Sequence, residues 1–160
     1  MKTKVSVIVF ATAVMLSGCV HSNYVKPAYP ALQQAYIEKV MASPLEVNIK
    51  KSQIEDAWGR TQAFIAKYSD LKIQTVSDYS IQTYNSYRIF MYGYTAIKTP
   101  AKDGFTITVN CISANSLSRS TREKMQDALD LNAHIFSYYV ETGELPFPEL
   151  IDTLSRHQRH

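Results

Sequence analysis

The sequence predicts an α+β domain: a two-layer sandwich in which an antiparallel sheet of four to five strands carries two amphipathic helices on one face. Three patterns support this class. Residues 54–68 and 120–142 repeat apolar side chains at helical spacing, and the segments between them are short and rich in β-branched and aromatic residues. Residues 105–111 alternate apolar and polar side chains. Because each helix has one apolar stripe, both are expected on the same side of the sheet.

A short helix and a strand are predicted at the start of the domain. Residues 31–42 place Leu32, Tyr36 and Val40 on one side of a helix that ends before Pro44. Residues 45–50 then alternate apolar and polar side chains, as a half-buried strand does.

A long amphipathic helix is predicted over residues 54–68. Ser52 and Glu55 have the spacing of a capping box, in which the hydroxyl accepts a first-turn amide and the carboxylate reaches back. Apolar residues recur at i, i+3, i+4 and i+7, with Trp58 near the centre of the stripe.

Short strands are predicted next. Asn85 and Ser86 are expected to turn the chain, Gly93 to mark a bulge inside a strand, and Asp103-Gly104 to form a tight hairpin turn in which glycine supplies a positive φ. The predicted strands are residues 72–77, 79–84, 87–98 and 105–111.

The closing helix is expected to begin at a second capping box, formed by Ser120 and Glu123, and to end at Gly143. A second short helix is predicted over residues 149–154, followed by a frayed basic tail over residues 156–160. The predicted buried side of the long helix is Met125, Ala128, Leu129, Asn132, Ile135, Phe136, Tyr139 and Val140.

The N-terminal region carries the most specific motif. After two lysines, residues 5–16 form an uncharged stretch of about twelve residues, short of the roughly twenty that span a bilayer and typical of a signal peptide. Leu16-Ser17-Gly18-Cys19 follows and resembles the lipobox of bacterial lipoproteins. The resemblance implies cleavage between Gly18 and Cys19, a diacylglyceryl thioether on the Cys19 sulfur, and palmitate on its new amino group.

The resemblance also implies a location and a domain plan. Two or three acyl chains together anchor a protein to a bilayer without a spanning helix. Val20 after the lipidated cysteine resembles lipoproteins that Gram-negative bacteria send to the outer membrane, facing the periplasm. Residues 1–18 are then the signal peptide, residues 19–30 a proline-containing tether, and residues 31–155 a single domain.

Charge and cysteine content bear on two further properties, nucleic-acid binding and disulfide formation. Loss of residues 1–18 removes two of the 17 basic residues and none of the 14 acidic ones, so the formal net charge falls from +3 to +1. A near-neutral chain without charge clusters gives no electrostatic case for nucleic acid as a partner. With Cys19 in a thioether, Cys111 has no intramolecular partner, and stability must come from burial of side chains.

No combination of residues predicts a reaction, and no cofactor is expected. The sequence contains no Gly-x-Ser-x-Gly, no Gly-rich phosphate loop, and no Cys–His pair with an orienting partner. His21, His157 and His160 lie in the predicted tether and tail. Cys111 shares the apolar face of its strand, where a cysteine behaves as a small buried hydrophobe.

The acidic stripe of the last helix allows two interpretations. Asp127, Asp130 and His134 have spacings that could hold a metal ion between successive turns. The alternative is the solvated face of an amphipathic helix with an Asp130–His134 pair at i, i+4. Two carboxylates and one histidine without a second ligand cluster favour the solvated face.

Tyrosine is the one compositional excess, at 11 of 160 residues. Tyrosine is enriched at binding surfaces, although half-buried strands accommodate it as well. We expect an exposed aromatic patch on the sheet, drawn from Tyr79, Tyr84, Tyr87, Tyr92 and Tyr94.

Two functions fit these predictions. The first is a membrane-anchored envelope lipoprotein that acts as a non-enzymatic protein-interaction module or accessory subunit of a cell-envelope assembly, with a protein partner that the sequence does not identify. The second is a small-ligand or cell-wall-binding lipoprotein that uses a cleft between helices and sheet, with Asn132 and His134 at its mouth.

Overall fold

The computed structural model describes residues 29–88, 90–114 and 118–152; the predictions for Gly18, Cys19 and the basic tail lie outside these residues. The described chain forms three helices and five strands. They are helices α1 (Ala31–Met41), α2 (Ile54–Tyr68) and α3 (Arg119–Thr142), and strands β1 (Glu46–Lys50), β2 (Ile73–Val76), β3 (Ser80–Thr83), β4 (Gly93–Ala101) and β5 (Gly104–Ile112).

All five strands form one antiparallel sheet in the order β1-β5-β4-β3-β2, which confirms the predicted α+β class. Val47 lies opposite Ile107, and Val109 opposite Ala96. Directly opposed residues of antiparallel strands project to the same face. These apolar side chains therefore build one continuous buried face, while the outer face carries polar residues such as Asn48, Thr106 and Asn110.

Helices α2 and α3 cover the apolar face of the sheet. Phe64 of α2 stacks on Phe136 of α3 with ring centroids 4.4 Å apart, and Tyr94 of β4 meets both rings edge-on at 5.4 and 5.5 Å. These three side chains are essentially inaccessible to solvent. One aromatic cluster therefore joins both helices to the centre of the sheet.

Helix α1 forms a second contact surface on α3. Tyr36 packs edge-on against Tyr138, and the Ser137 hydroxyl donates a hydrogen bond to the carbonyl oxygen of Pro44. Ser137 is fully buried, because α1 and the residues after it cover that side of α3. Ala133 and Tyr138 are buried for the same reason.

Both predicted capping boxes are wrong. Lys51–Gln53 form a 3-10 turn before α2, and the Gln53 side chain makes no capping hydrogen bond with the residues described. At α3, the Ser118 hydroxyl rather than Ser120 accepts the Thr121 amide, at 3.3 Å. An N-cap requires a residue outside the helix, and Ser120 already lies within its first turn.

The predicted strand over residues 87–98 begins later, at Gly93. The Ser86 hydroxyl accepts the Arg88 amide and donates to its carbonyl oxygen, which is a local alternative to strand pairing. The Tyr92 amide likewise donates to the Asp70 carboxylate at 2.9 Å. Side-chain oxygens of Ser86 and Asp70 thus bind backbone amides in the connection between β3 and β4.

Gly104 closes the hairpin between β4 and β5, but not through the predicted positive φ. Among the residues described, only Phe90 and Gly143 have a positive φ, of 62° and 77°. Gly104 is instead required by a close approach, since a Cβ there would lie 2.0 Å from the carbonyl oxygen of Ile49 in β1. Gly143 ends α3 in the left-handed conformation, as expected of a glycine after a helix.

The last described residues return to the start of the fold. A 3-10 turn over Pro148–Leu150 replaces the predicted short helix as far as the structure describes it. The Gln33 side chain of α1 donates a hydrogen bond of 2.8 Å to Glu149 in this turn. No helix in the described ranges has the length and apolar content needed to cross a membrane.

Candidate functional site

The five tyrosines predicted to form an exposed patch separate into two groups. Tyr92 and Tyr94 are fully buried, so the prediction is wrong for both. Tyr94 enters the aromatic cluster beneath the helices, and the Tyr92 hydroxyl donates a hydrogen bond of 2.9 Å to the carboxylate of Asp152. Tyr79, Tyr84 and Tyr87 are 56%, 53% and 72% exposed.

The exposed tyrosines are part of a larger set of exposed apolar residues near one edge of the sheet. Six of the nine large hydrophobic side chains exposed in the described part of the chain fall between residues 73 and 90. They sit on β2, on the turn into β3, and in the connection from β3 to β4. We call these six residues the β2–β3 surface: Ile73, Val76, Tyr79, Tyr84, Tyr87 and Phe90.

The connection between β3 and β4 holds part of this surface in an unusual backbone conformation. Phe90 has a φ of 62°, in the left-handed region that non-glycine residues rarely adopt. The guanidinium of Arg88 lies 5.3 Å from the centre of the Tyr87 ring, within the range of a cation–π contact. Strained backbone of this kind concentrates at binding and catalytic sites, and the arginine–tyrosine pair is typical of protein interfaces.

A groove of about 570 Å³ opens between α2 and the sheet, as the cleft hypothesis requires. It is distinct from the aromatic cluster, because α2 covers β4 and β5 incompletely near its N-terminal end. The lining residues are Glu55, Trp58, Gly59, Gln62, Asp78, Tyr79, Lys98 and Phe105.

The amine of Lys98 sits among the aromatic rings of this groove. Its Nζ atom lies 4.8 Å from the centre of the Trp58 ring and 5.6 Å from the centres of the Tyr79 and Phe105 rings. Rings of this kind stabilise a cation by their quadrupoles. Glu55 and Asp78 belong to the same lining. The groove therefore combines the faces of aromatic rings with one positively charged and two negatively charged side chains.

Asn132 and His134 are not at the mouth of this groove, so that part of the cleft hypothesis is wrong. Asn132 is fully buried beneath the C-terminal residues. His134 donates from Nδ1 to the carbonyl oxygen of Ser43 at 2.9 Å. Asn132 contacts Asp152, just after the 3-10 turn, and His134 contacts Ser43, just after α1, so segments distant in sequence cover both side chains.

The acidic stripe of α3 forms no metal centre in the ranges described. The Asp130 carboxylate accepts a hydrogen bond of 2.7 Å from Gln126, one turn earlier, while His134 points to Ser43 rather than to Asp130. No group of three or more His, Cys, Asp or Glu side chains among the described residues has a ligating arrangement.

The buried environment of Cys111 lowers the reactivity of its thiol. Cys111 packs against the core, and burial raises the pKa of its thiol well above the usual range. A hydrogen bond with Asn132 lowers that pKa and offsets only part of the effect of burial. Because the thiolate is the reactive form, the folded protein holds this thiol in an unreactive state.

No protein-family model, no curated protein and no solved structure matches this chain. The described residues define a two-layer α+β domain with two open features, the β2–β3 surface and the Lys98 groove. The signal that could have located the first was the run of aromatic and β-branched residues between 73 and 90. The groove is lined by residues of α2, of the turn before β3, of β4 and of β5. These residues are far apart in the sequence, so no local pattern predicts the groove.

Proposed function

We propose that the protein is a lipid-anchored envelope lipoprotein whose domain is a non-enzymatic protein-binding module. The proposal rests on one observation above all, the concentration of exposed apolar side chains on the β2–β3 surface. Exposed apolar side chains that are concentrated in one part of a domain often mark an interaction site. Tyr79, Tyr84 and Tyr87 offer large contact areas that lose little side-chain entropy on binding.

Anchoring at Cys19 is compatible with access to this surface. The proposed tether leads into α1. Helix α1 packs on α3, and α3 lies over β5 and β1. The β2–β3 surface lies at the other edge of the sheet. Residues 19–30 fully extended reach at most about 40 Å, which keeps the domain close to the membrane while leaving its far edge open.

Crosslinking in intact cells, followed by mass spectrometry, tests the binding role. We expect the native protein to crosslink to an envelope protein, and a Tyr84→Ser, Tyr87→Ser double variant to lose that product. Leu32→Ser is the matched control, because Leu32 is 76% exposed on α1, away from the β2–β3 surface. Recovery of only the free monomer at native expression would count against the proposal.

Metabolic labelling with palmitate tests the anchor separately. The wild-type precursor should take up label and fractionate with membranes, and a Cys19→Ala precursor should do neither. Label on the Cys19→Ala protein would contradict lipidation at this residue.

A second function, binding of a cell-wall glycan, is favoured by the Lys98 groove. Sugar rings present apolar faces that stack on aromatic side chains, and hydroxyl groups that pair with charged ones. We expect the wild-type protein to sediment with purified peptidoglycan and a Glu55→Gln, Lys98→Met double variant to remain in the supernatant. Lys67→Met, which removes a charge from an exposed position of α2 outside the groove, is the control.

A further inference from the structure

Three of the four glycines in the described part of the chain have a structural reason to be glycine. A Cβ at Gly93 or at Gly104 would lie 2.3 Å or 2.0 Å from the nearest atom, and Gly143 has a left-handed φ of 77°. Gly59 has neither reason. Its φ is not positive, and a Cβ there would meet no atom within 4 Å.

Gly59 lies in the interior of a helix, where glycine is unfavourable. It is the sixth residue of α2, which runs from Ile54 to Tyr68. A glycine in a helix interior loses more backbone entropy on folding than an alanine does, and so it weakens the helix. Since neither packing nor backbone conformation requires glycine here, the fold would be more stable with alanine. A destabilising residue of this kind is expected where the backbone must come close to a ligand.

The missing side chain opens into the Lys98 groove. Glu55, Gly59 and Gln62 are spaced at i, i+4 and i+7, so they follow one stripe of α2, and all three line the groove. Gly59 therefore leaves a gap between two longer side chains, and the floor of this gap is helix backbone. The Glu55 carboxylate offers hydrogen-bond acceptors beside the gap, and the Gln62 amide offers donors and an acceptor.

The sheet side of the groove presents the faces of aromatic rings. Tyr79 and Phe105 line the groove on this side, and the Tyr79 side chain is 56% exposed. A sugar ring has apolar C–H faces and carries hydroxyl groups around its edge. The negative face of an aromatic ring attracts the C–H groups, while charged and amide side chains bind the hydroxyl groups. The groove therefore offers a sugar ring both kinds of contact.

We propose that one sugar ring of a glycan strand lies in the gap at Gly59, between Glu55 and Gln62, with a C–H face towards the aromatic rings of the sheet side. The inference rests on the cell-wall-binding function proposed for the Lys98 groove, and it names the part of the wall that enters. Gly59 then determines specificity, because any side chain at this position occupies the space of the ring. The glycan strand, rather than the peptides attached to it, is the expected occupant.

Gly59→Ala and Gly59→Gln test whether the glycine serves the fold. Both variants introduce good helix formers into open space, so each should raise the Tm of the full-length protein in detergent by about 2 to 4 °C. Thermal unfolding followed by circular dichroism measures the change. A lower Tm for Gly59→Ala would show that the fold itself requires glycine and would overturn the inference.

Binding by the same variants tests whether the gap holds the ligand. Sedimentation with purified peptidoglycan gives one apparent Kd, and titration with peptide-free glycan strands gives another through the fluorescence of Trp58, which lines the groove and is the single tryptophan of the chain. Gly59→Gln should raise both values at least about tenfold despite its higher Tm, and Gly59→Ala should raise them less. Ala66→Gln adds the same side chain at an exposed position of α2 outside the groove lining, and it should bind as the wild type does.

The outcomes separate this inference from the function on which it rests. A wild-type protein that binds neither peptidoglycan nor glycan strands would contradict both. Wild-type binding that Gly59→Gln leaves unchanged would keep the cell-wall function and overturn the inference alone. Binding to peptidoglycan without a response to peptide-free strands would also overturn it, because the wall would then be recognised through its peptides.

Discussion

Asn132 and Asp152 hold each other by two reciprocal hydrogen bonds. The Asn132 amide nitrogen donates to the carbonyl oxygen of Asp152 at 2.9 Å, and the Asp152 backbone amide donates to the Asn132 side-chain oxygen at 2.8 Å. The Tyr92 hydroxyl adds a third bond, to the Asp152 carboxylate. Asn132 of α3 thereby fixes the segment after the 3-10 turn. Tyr92, the residue before β4, holds the same segment through the Asp152 carboxylate.

Replacing Asn132 with Leu should lower the free energy of unfolding by about 2 kcal/mol, because the amide and carbonyl of Asp152 lose their partners in a poorly hydrated site. Urea unfolding followed by circular dichroism measures the change. Asn110→Leu, on the exposed outer face of β5, is the matched control and should change stability by less than about 0.5 kcal/mol. Equal effects at the two positions would show that the reciprocal bonds contribute little.

Two buried tyrosines should respond in opposite directions to loss of the hydroxyl. The Tyr36 hydroxyl is buried without a hydrogen-bond partner among the described residues, so Tyr36→Phe should stabilise the fold by about 1 kcal/mol. The Tyr92 hydroxyl donates to a carboxylate, so Tyr92→Phe should cost about 1.5 kcal/mol. Thermal and urea unfolding of the two variants at pH 7 compare them directly. The same sign for both would contradict the described hydroxyl environments.

Stability should fall in strong base. Burial, together with smaller effects of the nearby Tyr138 and Glu144, raises the pKa of Tyr36 from 10.0 to about 12. Because the folded protein favours the neutral hydroxyl, this contribution is complete below pH 10 and is lost as the pH rises from 10 towards 12. Urea unfolding from pH 8 to 12 should show this decline, and Tyr36→Phe should make it shallower. Superimposable pH profiles would exclude a role for Tyr36.

Arg60 should act as a cap for a helix to which it does not belong. From α2, its Nε and Nη2 atoms donate to the carbonyl oxygen of Val140 at 3.0 and 2.6 Å, near the C-terminus of α3. The last turn of α3 contains no basic residue of its own. Arg60→Met should therefore destabilise the protein by about 1 to 2 kcal/mol, since unpaired carbonyls and the negative end of the helix dipole lose a cation.

Arg60→Lys separates charge from geometry in the same experiment. Lysine restores the positive charge but cannot present two donors in a fixed plane, so it should recover only part of the loss. Lys67→Met, an exposed change on the same helix, should be neutral in urea unfolding. A Lys67 effect as large as that of Arg60 would indicate a general charge effect.

Thiol counting should distinguish the two cysteines. Burial raises the pKa of the Cys111 thiol, so a thiol-reactive chromogen should label it only after unfolding. If Cys19 carries lipid, the native protein should show no rapidly reacting thiol and the denatured protein one. A Cys19→Ser variant should give the same count at Cys111, and rapid labelling of that variant in its native state would contradict burial of the thiol.

The sequence predicts the parts of this fold that depend on local periodicity. Helix α2 follows its apolar stripe, with Trp58, Phe64 and Ile65 buried as expected. The alternation in β5 places Ile107 and Val109 beneath the helices. Such patterns predict burial correctly because each of these segments packs against the rest of the fold on one side only. That side is the one that carries the apolar residues.

Features set by distant segments were not predictable in the same way. Whether Tyr94 or Tyr79 is exposed depends on which strands pair and how far the helix layer extends, not on the residues beside them. Ser137 and His134 appear solvated until α1 is placed against α3. The bulge at Gln74, which turns Ile73 and Val76 to one face, has no glycine or proline to mark it.

The hydrogen bond between Gln33 and Glu149 also has a practical consequence for anyone who labels this protein. The first helix and the final 3-10 turn leave the fold at one place, so a reporter appended after residue 152 emerges beside the entry of the N-terminal chain. Asp152 also accepts a hydrogen bond from Tyr92, so a bulky reporter joined directly after it would stand close to the connection that carries Phe90. A short epitope is therefore a better label than a fluorescent protein directly after residue 152.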